Sequence, residues 1–265
     1  MTLLDVMVIA LIQGLGEVLP LGASGVLTAL TMLAGPPEAR AALSVAAHLG
    51  ILLALTLYFW RDVAAMTVGL WRLAKGKPDS GSRLFLHLIV GTIPAALAGW
   101  LLLEPVSGLI GPAGAAALIL LGGVLLLTFD TLGVTVRRIE HMSYVGAIAL
   151  GALQILALLP GVSRTGITIT VARLLGWERQ DAARFSLLLA MPLILGHGAH
   201  TFWILAQHTR PILSMDLAFA AAVAGLAALF AVAGMMAWVE RNTYMPFALA
   251  RIILGLGTLG LALWG

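Results

Sequence analysis

The sequence predicts an all-α polytopic membrane protein with six transmembrane helices and two re-entrant helical hairpins, arranged as an inverted repeat. Of the 265 residues, 61% are hydrophobic and 10% are charged, and the mean hydropathy is +1.04. A soluble domain carries about 25% charged residues. A stretch of roughly 20 apolar residues crosses a bilayer. The segments that reach this length are residues 41–60, 84–103, 113–132, 185–205, 215–238 and 245–264.

Two further apolar regions, residues 3–34 and 144–175, are interrupted near their middle. The interruptions are "GEVLPLGASG" (16–25) and "LLPGVSRTG" (158–166). Each half is too short to cross a bilayer, so each region is predicted to enter the membrane and turn back. Irregular backbone at that depth is tolerated only where protein shields it or where it lines a polar cavity. Both interruptions are therefore candidate site segments.

The distribution of basic residues predicts the orientation. One set of loops holds eleven lysines and arginines, whereas the opposite set holds only Arg40 and Arg210. The basic loops are residues 61–83, 133–142, 173–184 and 239–244. The positive-inside rule places them in the cytoplasm, so the first hairpin opens outward and the second inward. With a net charge of +3 confined to short loops, nucleic-acid binding is not expected, and the absence of cysteine excludes disulfides and thiolate sites.

The two halves of the chain are similar to each other. Ser24-Gly25-Val26 and Thr165-Gly166-Ile167 are 141 residues apart, and Pro20 and Pro160 precede them. Each half, about 1–132 and 143–265, holds one hairpin and three spans. Because three is odd, the second half must be inverted within a single membrane domain. Inverted repeats with broken helices place their binding site at the repeat interface near the midplane.

Glu17 and Arg164 lie at equivalent interruptions of the two hairpins. A charged side chain in a membrane segment costs about 2.5–3.5 kcal/mol on insertion scales, so it usually faces a cavity and a partner. The two residues form either a structural ion pair or an anionic site. The guanidinium fork of Arg164, the hydroxyls of Ser163 and Thr165 and the following helix N-terminus all suit a phosphate group. Those hydroxyls also suit simple helix caps.

The stretches "QGLGEVLPLGASG" and "LALLPGVSRTGITI" resemble the two signature motifs of the bacterial undecaprenyl-pyrophosphate phosphatases, the bacitracin-resistance family. Other family segments are similar to "GILLALTLYFWRD" (50–62), "HLIVGTIPAALAG" (87–99), "FSLLLAMP" (185–192) and "MPFALARIILG" (245–255). The resemblance implies an undecaprenyl-diphosphatase of the inner membrane, with interlocked hairpins and a site open to the periplasm. It also implies a divalent cation, Mg²⁺ or Ca²⁺, held partly by Glu17. The implied partners are the polyprenyl diphosphate and the bilayer, with a homodimer left open.

The first motif departs from the family pattern, and the second is intact. Gln13 and Glu17 fill the amide and acidic slots; the serine slots are Gly22 and Ala23, the retained serine is Ser24, and the histidine slot is Val26. The intact motif is Pro160, Gly161, Ser163, Arg164, Thr165 and Gly166. The expected catalytic residues are Glu17, Arg164, Ser163, Ser24 and, from its position in the first span, His48. The expected substrate contacts are Gln13, Gly25, Gly161, Thr165 and Gly166.

The altered motif leaves the chemistry open. Glu17 either helps to hold the metal or orients an attacking water, while Ser24, Ser163 or Thr165 would need a nearby base to attack covalently. His48 is the candidate replacement for the missing imidazole, the alternative being a hydrogen-bonded core histidine. Losing an acid–base partner costs about 10²–10⁴-fold, which predicts a slow enzyme.

A non-hydrolytic polyprenyl-phosphate binding protein or flippase of the same fold is the alternative function. Inverted repeats around an anion site suit alternating access, and a carrier would tolerate the altered stretch "LGASGV" (21–26). His197 and His200 are spaced for metal binding, but packing near the interface is the favoured interpretation. Arg251, in the last span, is expected to extend its side chain towards the membrane surface.

Overall fold

The computed structural model describes residues 2–29, 37–106, 108–133, 135–208 and 214–264. Over these ranges the chain is helical, and the β pairing there is an isolated bridge between Arg137 and Trp177. The α-helices are α1 Leu3–Val18, α2 Ala23–Ala29, α3 Pro37–Tyr58, α4 Trp60–Ala74, α5 Ser80–Val106, α6 Pro112–Leu132, α7 Tyr144–Leu153, α8 Arg164–Leu174, α9 Arg179–His208, α10 Met215–Val239 and α11 Met245–Trp264. Short 3-10 helices cover Ile139–His141 and Gln154–Leu158.

Six helices are long and apolar enough to cross a membrane, which confirms the predicted spans. They are Glu38–Tyr58, Ser80–Leu102, Pro112–Leu132, Arg179–Gln207, Met215–Val239 and Met245–Trp264. The fourth begins six residues before the predicted start at residue 185, because its first turns are rich in charged residues. Charged residues lower the mean hydropathy of a segment, so the predicted span left these turns out. The helix itself continues through them.

Residues 61–83 were expected to form a loop, and most of them belong to the helix α4 instead. The helix packs on the start of α5 at Gly69, where a Cβ atom would overlap the backbone nitrogen of Ser82. Trp71 is exposed, and the Lys75 ammonium lies 4.5 Å from the centre of its ring. An amphipathic helix with exposed tryptophans and basic residues is typical of a membrane–water interface.

The two broken regions meet at their turns. The first turn joins α1 to α2, and the second joins the 3-10 helix at Gln154–Leu158 to α8. The backbone N–H of Gly161 donates to Ser24 Oγ over 3.3 Å, and Thr165 Oγ1 donates to the Glu17 carbonyl over 2.7 Å. A Cβ atom on Gly25 would lie 2.7 Å from Gly161 Cα, so close contact of the two backbones requires glycine there.

Arg251 of α11 joins both turns to the rest of the bundle. Its side chain is buried, with the residue 2% exposed. The guanidinium donates to the carbonyl oxygens of Ile119 (3.1 Å), Gly161 (3.0 Å) and Pro20 (3.5 Å). The expectation that Arg251 reaches towards the membrane surface is wrong, because the turn carbonyls inside the bundle need a donor.

Helix packing in the two halves is reciprocal. The repeat pairs α1 with α7, α2 with α8, α3 with α9, α5 with α10 and α6 with α11. Accordingly α1 packs on α10 as α7 packs on α5, and α2 packs on α11 as α8 packs on α6. The repeat matches α3 with α9 and α6 with α11, and in each case the two matched helices pack on each other. The inverted repeat and the re-entrant course of the hairpins stay predictions, with which this packing is consistent.

The basic loops meet at one end of the bundle around buried Asp130. The Nε atoms of Arg173 and Arg179 both lie 2.8 Å from Asp130 Oδ1, and the Tyr244 backbone N–H donates to Oδ2 over 2.8 Å. A further ion pair at this end joins Arg184, in the first turns of α9, to Asp62, in the first turn of α4. Arg210, counted in the opposite set, lies outside the described residues. The location of this end in the cytoplasm stays a prediction.

Replacing Arg251 with methionine is expected to lower the thermal unfolding temperature of the detergent-solubilised protein. Three buried carbonyl oxygens would lose a donor, and each unsatisfied group costs about 1–3 kcal/mol. Near-UV circular dichroism measures the unfolding. Arg241→Met makes the same chemical change at an exposed residue and is expected to leave the temperature unchanged. Equal unfolding temperatures for the two variants would contradict the structural role of Arg251.

Candidate active site

A cavity of about 840 Å³ lies beside the two turns, between α1, α3, α5, α8 and α9. Its polar lining residues are Gln13, Glu17, Ser24, Ser44, His48, Thr92, Gln154, Arg164, His197 and His200. Apolar residues from α5, α9 and the second hairpin complete the wall, among them Ala95, Ala96, Leu101, Leu158 and Leu193. The cavity therefore combines a polar group of side chains with apolar sides.

The cavity occupies the half of the bundle away from the basic loops. Of the lining residues in α3, Ser44 lies in the first half and His48 at the midpoint, and the second half of this helix runs towards α4. Most lining residues of α5 and α9, which start from the basic end, lie in the second halves of these helices, for example Trp100 and His197. At a rise of about 1.5 Å per residue, these positions place the cavity beyond the middle of the bundle.

Glu17 and Arg164 reach the cavity from the two interruptions. Glu17 lies in the last turn of α1, and Arg164 is the first residue of α8, directly after the cap residue Ser163. Within the described residues, no ion pair joins Glu17 to Arg164, and the buried Nη1 atom of Arg164 has no hydrogen-bond partner. The structure therefore does not support the structural ion pair, and it leaves the Arg164 guanidinium available to a ligand.

Other buried polar atoms at the cavity also lack partners in the described part of the chain. They are Gln13 Oε1 and both side-chain polar atoms of Gln154, a residue that is 3% exposed. Buried polar groups are nearly always hydrogen-bonded, and each unpaired one costs about 1–3 kcal/mol. Together with Arg164, these atoms offer donors and acceptors to a polar ligand. Gln154 was missed from the sequence, although it lies 141 residues after Gln13, the offset of the repeat.

The remaining residues of the second motif support the turns and do not line the cavity. Ser163 Oγ accepts the Gly166 N–H over 3.0 Å and so caps α8, and the Thr165 hydroxyl is bonded to the Glu17 carbonyl. Gly25, Gly161 and Gly166 also lie at this contact, where a Cβ atom on each would overlap neighbouring atoms. Of the expected nucleophiles, Ser24 is the one whose side chain lines the cavity. The proposed chemical roles of these residues stay predictions.

Histidines form one wall of the cavity. His48 Nδ1 lies 2.7 Å from the Ser44 carbonyl oxygen, and the His48 ring meets that of His197 edge to face, with centroids 5.6 Å apart. His200 packs against Trp100 at 5.6 Å. The interpretation of His197 as packing near the interface stays a prediction; the structure shows its ring exposed at the cavity and packed against that of His48. Its proximity to a residue 149 positions away is not visible in the sequence.

Comparison with known proteins identifies the family. The model of a family described as "Bacitracin resistance protein BacA" matches residues 6–257. The chain belongs to the BacA family. It is 69% identical over 265 residues to "Undecaprenyl-diphosphatase 1" of Paramagnetospirillum magneticum, covering 100% of this chain and 99% of the relative. It is 47% identical over 274 residues to "Undecaprenyl-diphosphatase 1" of Rhodospirillum rubrum, covering 100% and 97%. The "Undecaprenyl-diphosphatase" of Geobacter metallireducens is 40% identical over 256 residues, covering 95% of each.

The resemblance to the BacA family implies a divalent cation, and the donors present fit Mg²⁺ bound together with a substrate. Among the described residues there is no group of three histidine or acidic side chains that would hold a metal unaided. Glu17 provides one carboxylate, and the unpartnered Gln13 Oε1 lies one helical turn before it. Mg²⁺ is commonly held by one or two carboxylates plus substrate phosphates, which matches this set. Ca²⁺ prefers six to eight oxygen ligands, more than these side chains provide.

Gln154→Leu in this BacA protein is expected to keep or raise the unfolding temperature without ligand, because it removes an unpaired buried amide while retaining similar volume. The matched contrast is Thr165→Val, which removes a buried hydroxyl that is hydrogen-bonded and is expected to lower the temperature. Thermal unfolding of both variants in one detergent makes the comparison. A loss in Gln154→Leu as large as that in Thr165→Val would show that the amide supports the fold.

Proposed function

We propose that this chain is an undecaprenyl-diphosphatase, which hydrolyses a long-chain polyprenyl diphosphate to the monophosphate and phosphate within the membrane. The observation that carries the proposal is the buried, unpartnered Nη1 atom of Arg164, a residue that lines the same cavity as Glu17 and Gln154. The full-length similarity to relatives named undecaprenyl-diphosphatase supports the same reaction. Hydrolysis returns the lipid carrier to cell-wall synthesis, as expected of a BacA family member.

The cavity suits the two chemically different parts of such a substrate. Arg164 and the Gln154 amide donate to the diphosphate oxygens, since a guanidinium fork binds phosphate oxygens in pairs. The helix α8 begins at Arg164, so its N-terminal dipole also favours an anion there. Apolar side chains such as Leu101, Leu158 and Leu193 contact the isoprenyl chain. The head group therefore lies at the turns and the tail along the apolar wall.

The proposed reaction is an in-line displacement at the terminal phosphorus. The oxygen of a water molecule bonds to that phosphorus while its bond to the bridging oxygen breaks, and the electron pair leaves with the polyprenyl monophosphate. Glu17 orients the water, and Arg164 neutralises charge on the transferred phosphoryl group. Positioning and electrostatics supply most of the rate enhancement in phosphoryl transfer. When bound, Mg²⁺ supplies further neutralisation of phosphate charge.

Ser24 is the alternative nucleophile. Its hydroxyl lines the cavity and is held by the Gly161 N–H, whereas the hydroxyls of Ser163 and Thr165 are engaged in backbone hydrogen bonds. Covalent attack by Ser24 requires a base within reach of its Oγ atom. Water is preferred because Glu17, in the same cavity, suffices to orient it.

We assign the protein to the bacterial inner membrane, with the site opening to the periplasm. The support is geometric: the cavity lies in the half of the bundle opposite the loops that carry most lysines and arginines, and such loops face the cytoplasm. A homodimer stays a prediction.

A non-hydrolytic carrier of polyprenyl phosphate is the second candidate. Val26 and Ala23, at the histidine and serine slots of the first motif, favour it, because a carrier has no need of a nucleophile or proton acceptor. The reciprocal packing of the two halves also suits alternating access. The diphosphatase ranks first because Glu17 and the intact second motif are what hydrolysis uses.

Phosphate release from a polyprenyl diphosphate by purified protein in detergent tests the proposal. Wild type is expected to release phosphate, and Glu17→Gln and Arg164→Ala are each expected to lower the rate at least about 10²-fold, the scale of losing one charge-stabilising group. Arg241→Ala, a cation lost at an exposed residue, is the control and is expected to match wild type. If wild type releases no phosphate but binds polyprenyl phosphate, and Arg164→Ala loses that binding, the diphosphatase is excluded and the non-hydrolytic carrier is supported.

Removing divalent cations with a chelator is expected to abolish phosphate release, because the single positive charge of Arg164 does not neutralise a diphosphate. Adding Mg²⁺ back is expected to restore the full rate, and Ca²⁺ is expected to restore less because the site offers it too few oxygens. The measurement is the initial rate at fixed free metal concentration. An unchanged rate in the chelator would exclude the metal requirement.

A further inference from the structure

The cavity contains histidines that no motif of the first hairpin provides. Val26, which stands in the histidine slot, does not line the cavity, whereas His48 of α3 and His197 of α9 do. The two residues come from helices that the repeat pairs with each other, and these helices pack directly together. These two imidazole groups at the cavity therefore come from α3 and α9 and not from the histidine slot of the first motif.

The hydrogen bond of His48 determines which ring nitrogen carries the proton. Nδ1 lies 2.7 Å from the Ser44 carbonyl oxygen. A carbonyl oxygen only accepts, so Nδ1 must donate, and the neutral ring keeps its lone pair on Nε2. A histidine held in this way by a backbone carbonyl has a fixed tautomer and a fixed ring orientation. His48 is thus prepared to accept a proton at Nε2.

His197 connects His48 to the open part of the cavity. His48 is buried, whereas His197 is exposed to the cavity space, and their ring centroids are 5.6 Å apart at an interplanar angle of 72°. Because both residues line the same cavity, a water molecule there is able to carry a proton from one ring to the other, and transfer through one water is an established route in acid–base catalysis. In the described part of the chain, these histidines do not belong to a group of three metal-binding side chains. Proton transfer fits the pair better than metal binding.

We infer that His48 and His197 form a proton-relay pair that replaces the imidazole absent at Val26. The inference rests on the proposed diphosphatase function. As the water oxygen bonds to the terminal phosphorus, the proton that it loses passes to His48 Nε2. His48 then returns to neutrality by giving that proton through water to His197, which releases it to solvent. Glu17 keeps its carboxylate form and orients the water throughout.

The charged surroundings of the pair define the expected pH dependence. The titratable and charged groups facing both histidines are Glu17 from α1 and Arg164 from α8, with His200 beside His197 on α9. The relay works only while His48 is neutral, so the rate of wild type is expected to fall on the acidic side. In variants that lack either histidine, the rate is expected to be low at every pH and no longer to decrease as the pH falls.

The test is kcat, KM and the pH–rate profile for polyprenyl diphosphate hydrolysis by wild type, His48→Gln and His197→Gln. Each variant is expected to lose about 10²–10⁴-fold in kcat with KM within about threefold, as for loss of a general base. His141→Gln, at an exposed residue of the 3-10 helix Ile139–His141 that does not line the cavity, is the matched control with unchanged kinetics. Added imidazole is expected to restore at least about tenfold to His197→Ala, which a folding role would not explain.

The outcomes separate the relay from the function itself. Wild-type turnover with His48→Gln and His197→Gln within about threefold of it, and the acidic fall unchanged, would overturn the relay and leave the diphosphatase standing. No turnover by wild type would overturn the diphosphatase. If His48→Gln fails to fold, the imidazole rescue of His197→Ala decides alone, and lack of rescue in a folded His197→Ala overturns the relay.

Discussion

The need to satisfy backbone carbonyls away from water is the constraint on which this structure depends. The two turns contact each other inside the bundle, and an unpaired carbonyl in hydrocarbon costs several kcal/mol. Arg251 answers that need by donating to Pro20 in one turn, Gly161 in the other and Ile119 of α6. Glu17 and Arg164 lie three residues from those turn positions. The placement of the reactive side chains is therefore set by a hydrogen-bonding requirement of the fold.

Paired and unpaired buried charges have different positions and different uses in this molecule. Asp130, at the basic end, is surrounded by the guanidinium groups of Arg173 and Arg179 and the Tyr244 N–H. Such a saturated cluster holds the ends of four helices together and offers nothing to a ligand. The Arg164 Nη1 atom and the Gln154 amide are left without partners in the described structure. Atoms that the fold leaves unsatisfied are the ones a polar substrate is able to engage.

The sequence predicted the features that the bilayer itself dictates, namely the six spans and the interruption of two apolar regions. It failed wherever the decisive fact was a contact. The helix α4 was expected to be a loop because its polar face lowers the mean hydropathy of the segment. Arg251 was expected at the membrane surface, since only the folded chain brings the turn carbonyls to it. Gln154 was missed, and the contact of His197 with His48 was not foreseen, because both depend on neighbours far away in sequence. Glu17 and Arg164 were found because charge within an apolar run is conspicuous without any structure.

The serine and histidine missing from the first motif are replaceable by side chains from other parts of the chain, provided that these side chains reach the same cavity. Catalytic groups are defined by geometry and role, and the same roles recur from different sequence positions. Ala23 and Val26 lie in the short helix α2, in which Gly25 makes the close contact with Gly161 of the second turn. The neighbouring wall of α3 and α9 lines the same cavity as Glu17 and Arg164, and a histidine on each helix meets the other there. The helices α3 and α9 pack directly together at this wall, so one histidine on each helix suffices to build the pair.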